Sequence, residues 1–117
     1  MEWIVAFFDE FESEFDAYPE AVQDAILVKA GLLSREGPRL GRPHADTLAG
    51  SKHSNMKELR CNAPDSVWRI AFALDPNRQA VLLAGGIKSG VNDRRFYRQL
   101  IAEADERFDR HLKTVKG

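Results

Sequence analysis

With 117 residues, 44% of them hydrophobic, and a formal net charge of −1, the chain is long enough to enclose one hydrophobic core and too short for two. Near-neutrality argues against strong free-standing attraction to a polyanionic duplex. The lone Cys61 excludes an intramolecular disulfide framework and suits a reduced, cytoplasmic setting, and no apolar run has the length of a membrane span or the flanks of a cleaved leader.

In chain order, Trp3 to Phe8 (WIVAFF) reads as a strand. Asp9 to Tyr18 is acidic, with Phe11 and Phe15 at the i, i+4 spacing of a helix that ends near Pro19. Ala21, Val22, Ala25, Ile26, Lys29, Leu32 and Leu33 form the stripe of an amphipathic helix, which Gly37-Pro38 stops. From Gly37 to Asn55 there is no periodicity, which predicts a long loop of the kind that is functional or mobile. Met56 to Asn62, Val67 to Leu74 and Gln79 to Lys88 then read as three antiparallel strands. Their connectors, Ala63-Pro64-Asp65-Ser66 and Asp75-Pro76-Asn77-Arg78, each place Pro second, where its fixed φ suits a type I turn. A last helix starts at Asn92-Asp93, either of which can cap it, and runs to about Lys113 with Phe96, Leu100, Ile101, Ala104 and Phe108 on one stripe. Asp105 and Asp109, flanked by Arg107 and Arg110, read as its solvated side.

Two-residue loops in these hairpins would set Arg60 directly opposite Arg69. Like charges facing each other across a ladder repel, so the pair suggests a bound anion, phosphate above all. Alternation sorts Leu59, Cys61, Trp68, Ile70, Phe72, Leu74, Val81, Leu83 and Ile87 to a core face that a helix layer covers. It sorts Glu58, Arg60, Arg69, Ala71, Ala73, Ala80, Leu82, Ala84, Gly86 and Lys88 to an opposite, shallow basic floor. The bland alternative is a solvated face on which Glu58 neutralises one arginine.

Charge is uneven along the chain. Residues 1 to 36 carry Glu2, Asp9, Glu10, Glu12, Glu14, Asp16, Glu20, Asp24 and Glu36 against Lys29 and Arg35. Residues 52 to 98 carry Lys52, Lys57, Arg60, Arg69, Arg78, Lys88, Arg94, Arg95 and Arg98 against Glu58, Asp65, Asp75 and Asp93, the asymmetry of a nucleic-acid face. Arg94 and Arg95 also stand in the first turn of the last helix, where the dipole disfavours cations; a bound anion would offset this, while the plainer reading turns both into water. Other patterns fail. GGIKSG at Gly85 to Gly90 lacks the glycine spacing of a phosphate-binding loop, His44, His53 and His111 have no metal-ligand spacing, and no nucleophile elbow occurs, so neither metal nor cofactor is expected.

The order of strand, two helices, three antiparallel strands and a final helix combines with LAGS (Leu48 to Ser51), KELR (Lys57 to Arg60), WRIAFALD (Trp68 to Asp75), RQAVLLAGGIK (Arg78 to Lys88) and RFY (Arg95 to Tyr97). Together they resemble the RelE/ParE toxin superfamily, and the tail ADERFDRHL (Ala104 to Leu112) is similar to that of its phage-derived, HigB-like branch. The resemblance covers residues 1 to 117 as one RelE-like domain and implies an α+β fold, with the C-terminal helix packed on the sheet. It also implies a metal-independent, ribosome-dependent mRNA endonuclease, an mRNA interferase that inhibits translation. A cognate antitoxin, expected to be of helix-turn-helix type, would silence it in a toxin–antitoxin hetero-oligomer in the cytoplasm, away from membranes.

Arg60 and Arg69 match the family's basic residues on the concave sheet face, Lys88 the base ending the last strand, and Tyr97 the position of a catalytic tyrosine. His111 lies in the tail, where some members place a functional histidine, and Lys52, Lys57, Arg94 and Arg95 are expected to touch RNA. Glu58 departs from the pattern, standing where RelE has a basic residue. Such cleavage needs a base for the 2′-hydroxyl, cations for the phosphorane and an acid for the 5′-oxygen, with Tyr97 or His111 as the proton-transfer group. Two alternatives stay open: a ParE-like DNA gyrase poison without nuclease chemistry, and an inactive member that only binds its antitoxin.

Overall fold

The computed structural model describes residues 2–88 and 92–115. Strand β1 (Ile4–Phe7) leads into helices α1 (Asp9–Asp16) and α2 (Glu20–Glu36) and a 3₁₀ turn at Gly37–Arg39. Strands β2 (Ala45–Thr47), β3 (Met56–Ala63), β4 (Ser66–Leu74) and β5 (Gln79–Ile87) follow, and helix α3 (Asp93–Val115) closes the chain. The sheet runs β1-β5-β4-β3-β2, antiparallel except for β1, which lies parallel to β5. No described helix is long and apolar enough to cross a bilayer. The expected α+β architecture is therefore observed, with one addition. Strand β2 lies inside the stretch read as a loop; its three residues are too few to show a period, and only pairing of Ala45 with Leu59 and Thr47 with Lys57 makes them a strand.

Local chemistry explains the helix boundaries. Asp9, Glu10 and Glu12 put negative charge on the positive end of α1. Helix α2 ends at Gly37, whose φ of 56° is available to glycine and whose missing Cβ leaves room for the Trp3 ring; an added Cβ would lie 2.5 Å from Trp3 Cδ1. Helix α3 is capped by Asn92, whose side-chain oxygen accepts the Arg95 N–H at 3.1 Å.

Helices cover both faces of the sheet. On one face, Phe11, Val22, Ile26 and Leu33 of α1 and α2 bury Leu59, Cys61, Trp68, Ile70, Phe72, Ala80 and Leu82. On the other, Phe96, Leu100, Ala104 and Phe108 of α3 bury Met56, Ala71, Ala73, Val81, Leu83 and Ala84. Each large side chain taken fully out of water contributes about 1.5–3 kcal/mol before entropy is charged against it. The Cys61 thiol is inside the first layer, and burial pushes its pKa up to about 12, so it serves as a small core residue.

The first hairpin has the two-residue loop Pro64-Asp65, because Ala63 pairs with Ser66, and Arg60 does pair with Arg69. The second differs. Asp75 N–H bonds to the Gln79 carbonyl at 2.9 Å and Arg78 sits at φ 61°, so Pro76-Asn77-Arg78 form a three-residue loop. A second irregularity corrects the expected faces of β5. Ala71 pairs with Ala84 but Phe72 pairs with Leu82, leaving Leu83 as a bulge. Beyond it the alternation inverts: Ala80 and Leu82 join the α1/α2 layer, while Val81 and Leu83 join the α3 layer. The open basic floor is corrected as well, since α3 covers Ala71, Ala73 and Ala84 and its Tyr97 closes over Glu58, leaving Arg60 and Lys88 as the partly exposed cations of that end.

Candidate functional site

Strand pleating brings Glu58 and Arg60, two residues apart on β3, to the same face as Arg69 on β4. Glu58 is 3% exposed and lies between the arginines, with Oε2 3.4 Å from Arg60 Nε and Oε1 3.6 Å from Arg69 Nε. Arg60 is held from its other side by Asp46 of β2 at 3.1 Å. Arg69 also donates Nη1–H to the Trp68 carbonyl at 3.1 Å, while its buried Nε–H has no hydrogen-bond partner among the described residues. The like-charge pair is thus stabilised by an internal carboxylate bridging both guanidiniums, more than the single ion pair of the bland reading.

Helix α3 completes the cluster. Tyr97 donates its hydroxyl to Glu58 Oε1 at 2.8 Å, and Lys88 Nζ lies 5.8 Å from the Tyr97 ring centroid and 3.7 Å from Asp93. Burial, with the hydrogen bond to Glu58 and its negative charge, raises the Tyr97 pKa, so the phenol keeps its proton at neutral pH. Two shallow depressions flank the cluster. One of about 300 Å³ is lined by Val67, Arg69, Lys88 and Asp93; the other, of about 310 Å³, is lined by Glu58, Tyr97, Ile101 and the segment Thr47 to Gly50.

Of the residues singled out in the sequence, Arg60, Arg69, Lys88 and Tyr97 converge here. His111 does not. Its Nε2 is 2.8 Å from Asp75 Oδ2, and Asp75, just past the end of β4, lies six residues along the chain from Arg69, about 20 Å at the rise of a strand. The same Asp75 accepts the Asn77 and Gln79 N–H groups through Oδ1, so His111 secures the second hairpin to α3. Lys57 points to the opposite face, where Nζ donates to the Leu40 carbonyl at 2.6 Å, and burial lowers its pKa. Lys52 pairs with Asp109 at 2.5 Å, far down α3 from Tyr97. Arg94 and Arg95 stay exposed in the first turn of α3, at the Lys88 and Asp93 end of the cluster.

Two expectations about α3 are overturned. Asp105 and Asp109 are not free in water: they bind Ser51, the Lys52 N–H, the Lys52 ammonium and His53, fastening the β2–β3 connection to the helix. Arg107, read as a surface residue, is 5% exposed and donates to Glu14, Glu103 and the Leu83 carbonyl. Glu58 is the site residue that sequence reasoning passed over. The i, i+2 spacing to Arg60 was its available signal; its bond to Tyr97 depends on the docking of α3.

Residues 13–109 match the model of the family described as Phage derived protein Gp49-like (DUF891). Two Mycobacterium tuberculosis proteins carrying toxin names are similar to the chain. HigB2 is 50% identical over 90 residues, which cover 76% of this chain and 44% of that protein. HigB3 is 47% identical over 98 residues, which cover 81% and 83%. The chain thus spans less than half the length of HigB2 and most of HigB3. A mutant of Escherichia coli toxin RelE in the free state superimposes with a TM-score of 0.63 at 15% identity over 92% of this chain and 98% of that one, which establishes a shared fold. The chain belongs to the phage-derived Gp49-like family, on a RelE fold and alongside the HigB proteins.

Proposed function

We propose that this protein is the toxin of a toxin–antitoxin pair and acts as a ribosome-dependent mRNA endonuclease. The observation that carries the reading is the convergence of Glu58, Arg60, Arg69, Lys88 and Tyr97 at one end of the sheet. Phosphate-ester cleavage by a neighbouring 2′-hydroxyl needs cations, a proton acceptor and a proton donor within reach of one phosphate, and this cluster has all three.

In this mechanism Arg60, Arg69 and Lys88 bind the scissile phosphate and stabilise the charge that grows on its oxygens. Glu58 takes the proton of the 2′-hydroxyl as that oxygen attacks phosphorus. Tyr97, protonated at neutral pH, gives its proton to the departing 5′-oxygen. The phenolate then recovers a proton from Glu58 along their 2.8 Å hydrogen bond, leaving a 2′,3′-cyclic phosphate and a free 5′-hydroxyl with the site reset. Of the two candidates Tyr97 and His111, this reading takes Tyr97, and the bond of His111 to Asp75 at the other end of α3 supports that preference.

The cluster is shallow and the net charge is −1, so it has little of its own with which to grip an RNA chain. The ribosome would supply the positioning, holding the message in line, an advantage worth on the order of 7–11 kcal/mol in well-oriented systems. A cognate antitoxin of helix-turn-helix type would hold the protein silent. Induction without the antitoxin tests the reading: growth arrest with translated messages cut near codon positions and cyclic phosphate ends supports it. Intact messages with broken or abnormally supercoiled DNA would establish the gyrase-poison alternative, and normal growth with intact message and DNA would establish an inactive antitoxin-binding protein.

A further inference from the structure

A further concavity of about 460 Å³ adjoins the cluster on the β5 side and is lined by Gly85, Gly86, Ile87, Phe96, Gln99, Leu100 and Glu103. One wall is the end of β5, bare backbone at Gly85 and Gly86. Strand β1 pairs with β5 only as far as Leu82, so among the described residues no strand lies beside the outer edge of β5 beyond that point. Lys88 N–H bonds to Val67 on β4, whereas the Leu83 carbonyl turns outward to Arg107. Antiparallel alternation then turns the N–H and C=O of Gly85 and Ile87 into the groove. A Cβ on Gly86 would lie 3.1 Å from Phe96 and crowd the groove, whereas one on Gly85 would run into Ile70 in the opposite layer, so of this wall's three residues Ile87 alone carries a side chain.

The opposite wall comes from α3. Phe96 and Leu100 form an apolar floor, Gln99 is exposed with both amide functions available, and Glu103 uses Oε2 for Arg107 at 3.2 Å while Oε1 has no donor among the described residues. The groove is continuous with the cluster. Gly86 pairs with Arg69 across the ladder, and the Phe96 ring packs edge-on against Tyr97 with centroids 5.1 Å apart.

We propose that this groove is a base-reading subsite, which receives the nucleobase adjoining the phosphate at Arg60 and Arg69 and prefers an amino-bearing base to uracil; the proposal rests on the ribonuclease reading above. The chemistry selects this occupant. A carboxylate in the groove repels a second phosphate and accepts N–H donors, the apolar floor takes a flat ring, and the free strand edge, only Gly85 to Ile87, is too short to add a peptide strand. Adenine, cytosine and guanine offer an exocyclic amino group to Glu103, while their ring acceptors can take Gln99 or a main-chain N–H. Uracil has no amino group, and its N3–H donor is flanked on both sides by carbonyl oxygens that the carboxylate repels. One hydrogen bond of ordinary net strength, as expected at a partly exposed site, corresponds to about fivefold discrimination.

Two measurements on the full chain test this. In the first, adenosine 3′-monophosphate and uridine 3′-monophosphate are titrated separately while amide resonances are followed. Both should move Arg60, Arg69 and Lys88, but only the adenosine nucleotide should also move Gly85, Ile87 and the Gln99 side chain. Shifts confined to the arginine cluster for both nucleotides overturn the subsite. So does a groove that neither nucleotide perturbs and copurified antitoxin does, which would make it a protein-docking surface. In the second, cut sites in translated messages are mapped for the unaltered protein, Gln99→Ala and Glu103→Ala, the last keeping Arg107 anchored by Glu14. Uracil should be depleted about fivefold at one position beside the cut and return toward its natural frequency in both variants. Unchanged base frequencies overturn the proposal. Base-dependent resonance shifts without any message cutting would instead retain the groove as a nucleotide site and refute the ribonuclease reading alone.

Discussion

Tyr97 donates its hydroxyl to Glu58 across the junction of α3 with β3, at 2.8 Å, and this one bond makes the cluster a joint product of helix and sheet. Tyr97→Phe removes the proposed proton donor and keeps the ring in place. Message cleavage should fall roughly 10²- to 10⁴-fold, while stability falls by only about 1 kcal/mol for the lost hydrogen bond. Cleavage quantified beside a denaturant melt separates the two, and full cleavage by a folded Tyr97→Phe protein would remove Tyr97 from the mechanism.

The carboxylate between the arginines makes a second case. Glu58→Ala leaves Arg60 and Arg69 facing each other with Asp46 as the remaining acidic partner of Arg60. It should destabilise the fold by about 2 kcal/mol, since two partly buried cations lose the charge they share, and should abolish cleavage. Arg69→Ala should also reduce cleavage, by roughly one to three orders of magnitude, with a smaller stability loss because Glu58 keeps Arg60 and Tyr97. A melt in which Arg69→Ala unfolds more readily than Glu58→Ala would contradict this order.

His111 should behave as a structural residue. His111→Ala breaks the bond to Asp75, leaving a buried carboxylate with only its turn N–H groups, and should cost about 1–2 kcal/mol. Once assayed well below the melting temperature, its cleavage should match the unaltered protein. Loss of cleavage with an unchanged melt would return His111 to the catalytic set.

Arg107 is the tie between α3, α1 and β5. Its guanidinium meets Glu14 at 2.7 Å, Glu103 at 3.2 Å and the Leu83 carbonyl at 2.8 Å, and the Glu14 hydrogen bond is first among the causes that raise its pKa. Arg107→Ala leaves that carbonyl and Glu14 without a donor and should cost about 3–5 kcal/mol. Arg107→Lys cannot reproduce the fork and should recover only part of this. Thermal melts of the two variants give the comparison.

Alkaline titration reports on both tyrosines. Burial raises Tyr18 to about 12, and burial with Glu58 raises Tyr97 above the ordinary value of 10.0. A folded-state pKa above the unfolded one means each hydroxyl stabilises the fold at pH values below the unfolded value, and that contribution disappears as pH rises through the folded value. Phenolate absorbance should therefore stay low past pH 10.0, and the Tyr97→Phe protein should retain only the step of Tyr18. Phenolate appearing at the ordinary value in the unaltered protein would show Tyr97 to be freely solvated.

Periodicity and turn chemistry made most of the architecture readable from the chain alone. The apolar stripes of α2 and α3 follow a 3.6-residue repeat, and the Pro64-Asp65 loop sets the β3–β4 register that pairs Arg60 with Arg69. These features depend on interactions between near neighbours, so the sequence by itself determined the hairpins, the helices and the pairing of the arginines. Three matters were decided only by tertiary structure. Strand β2 exists because β3 offers it an edge, and the Leu83 bulge exists because β5 must satisfy β4, β1 and two helix layers at once. The site itself depends on where α3 lands: docking on the second face sends Tyr97 to Glu58 and His111 to Asp75, at opposite ends of one helix. Residues fourteen apart on α3 are separated by about 21 Å at the rise of an α-helix, and their partners lie on distant parts of the sheet. Such separations follow from the burial of one face against another, which no local pattern encodes.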